Sequence, residues 1–122
     1  MVSDARLLAV VDDDEDTRVA LTRLACSVGF VVEAFASGAE FLRSIEDHEP
    51  GCVVLDLHMP GMSGFDVQKA LDSVHAGVPV IIITGHDTCE ARARAIRLGA
   101  RAYLVKPVDD EDLLAAIGRA VA

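Results

Sequence analysis

Short apolar runs alternate along this chain with longer amphipathic stretches, and residues of turn and cap chemistry separate them. Residues 6–11 (RLLAVV) are apolar almost throughout and stop abruptly at Asp12, Asp13, Asp14, Glu15 and Asp16, the pattern of a buried strand opening into an acidic loop. Val19, Ala20, Leu24, Ala25 and Val28 then recur at helical spacing until Gly29 ends the helix. A second strand is predicted over 30–35 (FVVEAF). Ser37 with Glu40 three residues later forms a capping box ahead of Phe41, Leu42 and Ile45, a helix that ends before Pro50 and Gly51.

The same alternation repeats three times more. Residues 52–55 (CVVL) form a third apolar run, which delivers Asp56 at its carboxyl end. A turn-rich loop over 59–64 (MPGMSG) leads to a helix carrying Phe65, Val67, Ala70 and Leu71. Residues 80–83 (VIII) make a fourth strand, followed by Thr84, Gly85 and His86. A helix capped by Asp87 or Thr88 then carries Ala91, Ala95 and Leu98 as far as Gly99. The fifth strand is 102–105 (AYLV). After Lys106 and Pro107, Asp109 caps a last helix with Asp110, Glu111 and Asp112 in its first turn and Leu113, Leu114, Ile117 and Val121 on its apolar face. Five strands without polar alternation, each followed by a helix, predict a doubly wound (βα)5 α/β fold with a five-stranded parallel sheet covered on both faces.

Length and composition narrow the function. The 122 residues fit one domain, 1–122, and 52% apolar with 25% charged residues is an ordinary globular balance. Twenty acidic against eleven basic residues give a net charge of -9, which repels phosphate backbones and anionic lipid, so direct nucleic-acid binding and membrane association are not expected. The longest apolar stretch, 78–83, is far too short to span a bilayer, and Asp4 stands where a secretory signal needs positive charge, so a cytoplasmic protein is expected. Cys26, Cys52 and Cys89 are widely spaced and lack a CxxC or partnering His pattern, which excludes a disulfide framework or zinc site and predicts three small core residues.

In an open parallel sheet the crevice outside the carboxyl ends of the strands, where the strand order switches, is where ligands bind. The polar residues at those ends are Asp12 and Asp13, Asp56, Thr84 and Lys106. Carboxylates crowded together repel one another, so they either raise a pKa or take up a cation, and hard oxygen donors favour Mg²⁺. With such a cation, one carboxylate can act as nucleophile toward a phosphoryl group, while an ammonium and a hydroxyl, Lys106 and Thr84, neutralise and position the transferred oxygens. Each residue alone has a plainer reading as helix cap, loop carboxylate, turn hydroxyl or solvated charge. Their joint placement at the ends of different strands favours the site.

The residues that converge here resemble the receiver domain of two-component response regulators. The matching stretches are VVDDDED (10–16), VVLDLHMPGMSGFD (53–66), VIIITGHD (80–87) and Tyr103, Lys106 and Pro107 of YLVKP, in the family's order and spacing. DDDED, FASGAEFL and ITGH are most similar to FixJ/NarL-type receivers. The resemblance implies a flavodoxin-like receiver fold, with Asp56 as phosphoacceptor and Mg²⁺ held by Asp12, Asp13, Asp56 and the backbone carbonyl of His58. It further implies Lys106 as counter-ion, Thr84 as the hydroxyl that moves onto the phosphoryl group, and Tyr103 as the aromatic that follows it and remodels the surface of helix four, strand five and helix five. Lys106-Pro107 matches a bond usually cis in the family. The implied role is signal transduction: phosphorylation by a cognate histidine kinase or phosphotransfer protein, control of a downstream output such as transcription, and self-catalysed phosphorylation and dephosphorylation without being an enzyme in its own right.

Two residues depart from the family pattern: Val108 stands where an aromatic often follows Lys-Pro, and Asp87 where Gly often follows His. His58 and His86, each two residues beyond a site residue, either tune the lifetime of phospho-Asp56 or are exposed loop histidines. His48 and His75 fall in predicted surface segments. Arg92, Arg94, Arg97 and Arg101 give the segment 88–101 a local positive charge in an otherwise acidic chain. It reads either as a solvated face or, at Arg94, Arg97 and Arg101, as one half of a phosphorylation-dependent homodimer contact. A phosphorylation-independent pseudo-receiver, acting as an interaction module, is the competing function. A haloacid dehalogenase-type phosphatase would want an Asp where His58 stands, and nucleotide binding would want a Gly-rich loop after the first strand.

Overall fold

The computed structural model describes residues 2–122. Its elements follow one another as β1 (Val2–Val11), α1 (Glu15–Ser27), β2 (Val31–Phe35), α2 (Gly38–Ile45), β3 (His48–Asp56), α3 (Gly64–Val74), β4 (Val80–Thr84), α4 (Cys89–Arg97), β5 (Ala102–Val105) and α5 (Asp110–Val121). The strands pair in parallel in the order β2-β1-β3-β4-β5. From β1 the chain steps outward to β2 and then returns to the other side of β1, so the switch in strand order lies between β1 and β3. This is the flavodoxin-like order.

Strand residues alternate between two cores. Ala9, Val11, Val53, Leu55 and Ile82 face α2, α3 and α4, where Phe41, Val67, Ala95 and Tyr103 meet them. Leu8, Val10, Val54, Ile81 and Ile83 face α1 and α5 and pack on Ala25, Leu113 and Ile117. Because both faces are covered, no strand needs polar alternation, which is why five bare apolar runs could be read as strands. The predicted caps form: Ser37 accepts from Glu40 N–H, Thr88, of the two candidates, from Ala91 N–H, and Asp109 from Asp112 N–H. Gly29 and Gly99 follow α1 and α4 with φ of 98° and 100°, in the left-handed region that glycine enters without strain.

The structure departs from the sequence expectation in three places. β1 and β3 begin earlier than predicted, with Val2, Ser3 and Asp4 paired to His48, Glu49 and Pro50 across a register shift between Asp4 and Leu8. That extension is held by backbone pairing in a polar stretch, so the apolar pattern gave no sign of it. Cys52 is buried and its thiol is pushed up to about 12 by burial, but Cys26 and Cys89 are exposed, on the outer side of α1 and at the first position of α4. A cysteine's small apolar side chain fits either side of a helix. His75, expected at the surface, is buried: it caps α3, its N–H donates to Leu71 O, and Nδ1 lies 2.5 Å from Glu49 Oε2. His48 stays half-exposed and meets Glu33 at 2.8 Å.

Candidate phosphoacceptor site

The carboxyl ends of β1 and β3 are neighbours, with Val11 registered on Leu55, so Asp12 and Asp56 leave adjacent strands at the same level. Asp12, Asp13 and Asp56 each offer a carboxylate oxygen, and the three oxygens lie within 4.8 Å of one another. Asp12 and Thr84 are fully buried and Asp56 is 4% exposed, while Asp13 opens the cluster to solvent. Three carboxylates in this space are held by the fold against their mutual repulsion.

Lys106 offsets part of that charge. It follows β5, and Lys106 N–H donates to Thr84 O at 2.8 Å, extending the β4–β5 ladder by one step. Its ammonium reaches across β4 and β3 to Asp12 Oδ2 at 2.8 Å and to Asp56 Oδ1 at 3.8 Å. Burial opposes the ammonium charge, but the bond to Asp12 and the charges of Asp56, Asp12 and Asp13 outweigh it and hold the Lys106 pKa above its ordinary value. The Lys106-Pro107 bond is cis. Asp56 remains under-compensated: desolvation first, then the Asp12 charge, push its pKa from 3.8 up to about 6 against the pull of Lys106.

Local bonds orient the remainder. Asp12 Oδ1 accepts from Asp14 N–H at 2.9 Å, its backbone carbonyl accepts from Arg18 at 2.8 Å, and its N–H donates to Phe35 O at 3.1 Å. Asp56 Oδ1 accepts a long bond from His58 N–H at 3.4 Å. Thr84 Oγ1 accepts from His86 N–H at 3.0 Å, which leaves its proton free for donation to an incoming oxygen. The His58 and His86 rings lie with centroids 5.5 Å apart at 43°, so these two loops meet above the strand ends. Tyr103 sits two positions before Val105, the partner of Thr84, and is buried on the α4 side.

The donor set fits a hard divalent cation: oxygen ligands only, a surplus of negative charge, one open carboxylate, and a buried acid whose pKa is raised by desolvation and by the Asp12 charge. Gly64 escaped the sequence reading. A Cβ there would lie 2.5 Å from Asp56 O and 2.8 Å from Leu57 Cα, so only glycine lets the start of α3 approach the end of β3, where Gly64 N–H donates to Leu57 O at 2.9 Å. Within SGFD it reads as an ordinary turn glycine. The four arginines of 88–101 are all exposed, but two lie against aromatic rings: Arg92 4.5 Å over the Tyr103 ring and Arg94 4.2 Å over the Phe65 ring. Val108 packs into the α1/α5 core and lines a cleft of about 310 Å³ with Thr17, Leu21, Lys106 and Pro107.

A crevice of carboxylates with one lysine, at the switch point of this sheet, marks a two-component signalling domain. The family model for the response regulator receiver domain matches residues 8–118, and the chain belongs to that family. It is 38% identical over 121 residues, 99% of its length, to the response regulator protein TodT of Pseudomonas putida, of which it covers 53%. It is 39% identical over 108 residues, 88% of its length, to the transcriptional regulatory protein FixJ of Azorhizobium caulinodans, of which it covers 51%. The chain thus spans about half the length of the curated relatives it matches. The CheY-like receiver domain of Methanospirillum hungatei superimposes with a TM-score of 0.90 at 28% identity, covering 94% of this chain and 92% of that one. Among the described residues no helix is long and apolar enough to cross a membrane.

Proposed function

We propose that residues 1–122 form one Mg²⁺-dependent phosphoacceptor unit in which Asp56 takes a phosphoryl group from the phosphohistidine of a histidine kinase or phosphotransfer protein. The observation that carries this reading is the surroundings of Asp56: two more carboxylates within 4.8 Å and an ammonium at 3.8 Å, all at the crevice of the sheet. An Asp56 oxygen forms the bond to phosphorus as the phosphorus–nitrogen bond breaks, and the departing imidazole nitrogen takes up a proton. Asp12, Asp13, Asp56 and the His58 carbonyl would hold Mg²⁺, which would supply neutralisation of the phosphoryl oxygens. Lys106 pairs with one of those oxygens, and the Thr84 hydroxyl turns from His86 N–H to donate to another. The partner's phosphohistidine enters over the cleft between α1 and the segment after β5.

Movement of Thr84 releases Tyr103, and the α4–β5–α5 face then changes its affinity for a downstream target or, through Arg94, Arg97 and Arg101, for a second copy. Transcription is the output we assign, because the FixJ relative is a transcriptional regulator, and the setting is the cytoplasm. His58 and His86, paired above the crevice, limit the approach of the water that would hydrolyse phospho-Asp56. Intact mass after incubation with acetyl phosphate tests the reading. The expected result is a phosphoryl adduct that needs Mg²⁺ and is absent from Asp56→Asn. No adduct even in a rapid-quench sample would mark a pseudo-receiver.

A further inference from the structure

Tyr103 is the chain's single tyrosine, and the chain has no tryptophan. Its ring is 8% exposed, yet its hydroxyl, close to the Asp87 carboxylate, has no partner in hydrogen-bonding geometry among the described residues. The ring packs in the α2/α3/α4 core, but its polar tip adds no hydrogen bond to hold it there. What covers the ring is Arg92. It closes the first turn of α4, its N–H bonding Thr88 O at 3.0 Å, which projects its guanidinium back over the loop before the helix. The guanidinium lies 4.5 Å above the Tyr103 ring centroid and 3.8 Å from Asp87 Oδ2. Asp87 thus steers the cation, and the cation covers the ring.

We infer that Arg92, oriented by Asp87, is a positioning residue that latches Tyr103 in its buried pose and so sets how readily the α4–β5 surface rearranges. This rests on the reading of Tyr103 as the aromatic that responds to phosphorylation. An outward Tyr103 forfeits the Arg92 contact along with its core packing, so the latch adds to the bias on the ring before any phosphoryl group arrives, by the worth of that contact. Arg92 touches neither the carboxylate cluster nor Lys106, so it acts on the response and not on the chemistry.

Because Tyr103 is the only fluorophore of its kind in the chain, acrylamide quenching of intrinsic tyrosine fluorescence reads its cover directly, with no phosphodonor present. Quenching that proceeds through the uncovered ring scales with the population of that pose. Arg92→Gln should therefore raise the quenching constant about two- to fivefold, the worth of one exposed cation–π contact. Asp87→Asn should raise it by less, and Arg92→Lys should restore part of the protection. Circular dichroism confirms that each variant is folded, which their exposed positions favour. Unchanged quenching in Arg92→Gln overturns the latch. The acetyl phosphate adduct, measured on the same samples, separates the two readings: an adduct with unchanged quenching removes the latch alone. Absence of the adduct in wild type with raised quenching removes the phosphoacceptor reading and keeps the latch as a constraint on the ring.

Discussion

The two ends of the β-sheet both bury ionisable groups, and they treat the charge in opposite ways. At the amino end His75 and Glu49 form a pair closed by a hydrogen bond, and Gln68 Nε2 donates to Ala95 O at 3.0 Å, joining α3 to α4. His75 Nε2 and Gln68 Oε1 are the atoms left without a partner there. At the carboxyl end three carboxylates face one ammonium, and burial of Asp56, with the Asp12 charge beside it, lifts its pKa to about 6 against the pull of Lys106. The lesson is that burial alone does not distinguish the two ends, whereas the gathering of charge does: one end sets a single carboxylate beside a histidine, and the other crowds three carboxylates around one ammonium.

The sharpest way to break this contrast is to remove the imbalance. The carboxyl group of Asp56 has a folded pKa above its ordinary value, so the folded state holds its proton more tightly than the unfolded chain, and the ionised form opposes folding. The penalty grows between pH 3.8 and about 6 and is complete above that range. Asp56→Asn should stabilise the chain by roughly 3 kcal/mol at pH 7 to 8 in EDTA, with the gain shrinking to nothing near pH 4. Urea melts across that range check it, and a constant or absent gain would show that the carboxylate is compensated. Next in size is Glu49→Ala, which leaves buried His75 without its partner and should cost about 2 kcal/mol in the same melts. A loss near zero would mean that the amino end is not held by that pair. Smallest is Gly64→Ala, in which the new methyl group must push back the backbone at Asp56 and Leu57. A destabilisation of about 1 to 2 kcal/mol is expected, with slower formation of the proposed adduct as the sign that the loop after Asp56 has moved.

Much of this molecule was legible in its residue order. Ser37, Thr88 and Asp109 cap helices by local bonds that sequence spacing reveals, and the apolar runs around Val10, Val54 and Ile82 need no polar alternation because helices cover both faces of the sheet. Asp12, Asp13, Asp56, Thr84 and Lys106 could be singled out because a topological rule assigns chemistry to strand ends. What escaped depends on which surfaces meet. Gly64 matters because α3 starts against the Asp56 carbonyl, His75 is buried because the turn after α3 folds onto Glu49, and Arg92 reaches Tyr103 because α4 lies across β5. No periodicity in a single segment encodes those approaches.

The bond between Lys106 and Asp12 joins residues 94 positions apart. A chain still emerging from the ribosome, or one cut short before β5 has docked, would carry all three carboxylates without the cation that balances them. Competence to signal is therefore tied to completion of the fold, and an unfinished copy has the acidic residues but not the full chemistry of a receiver.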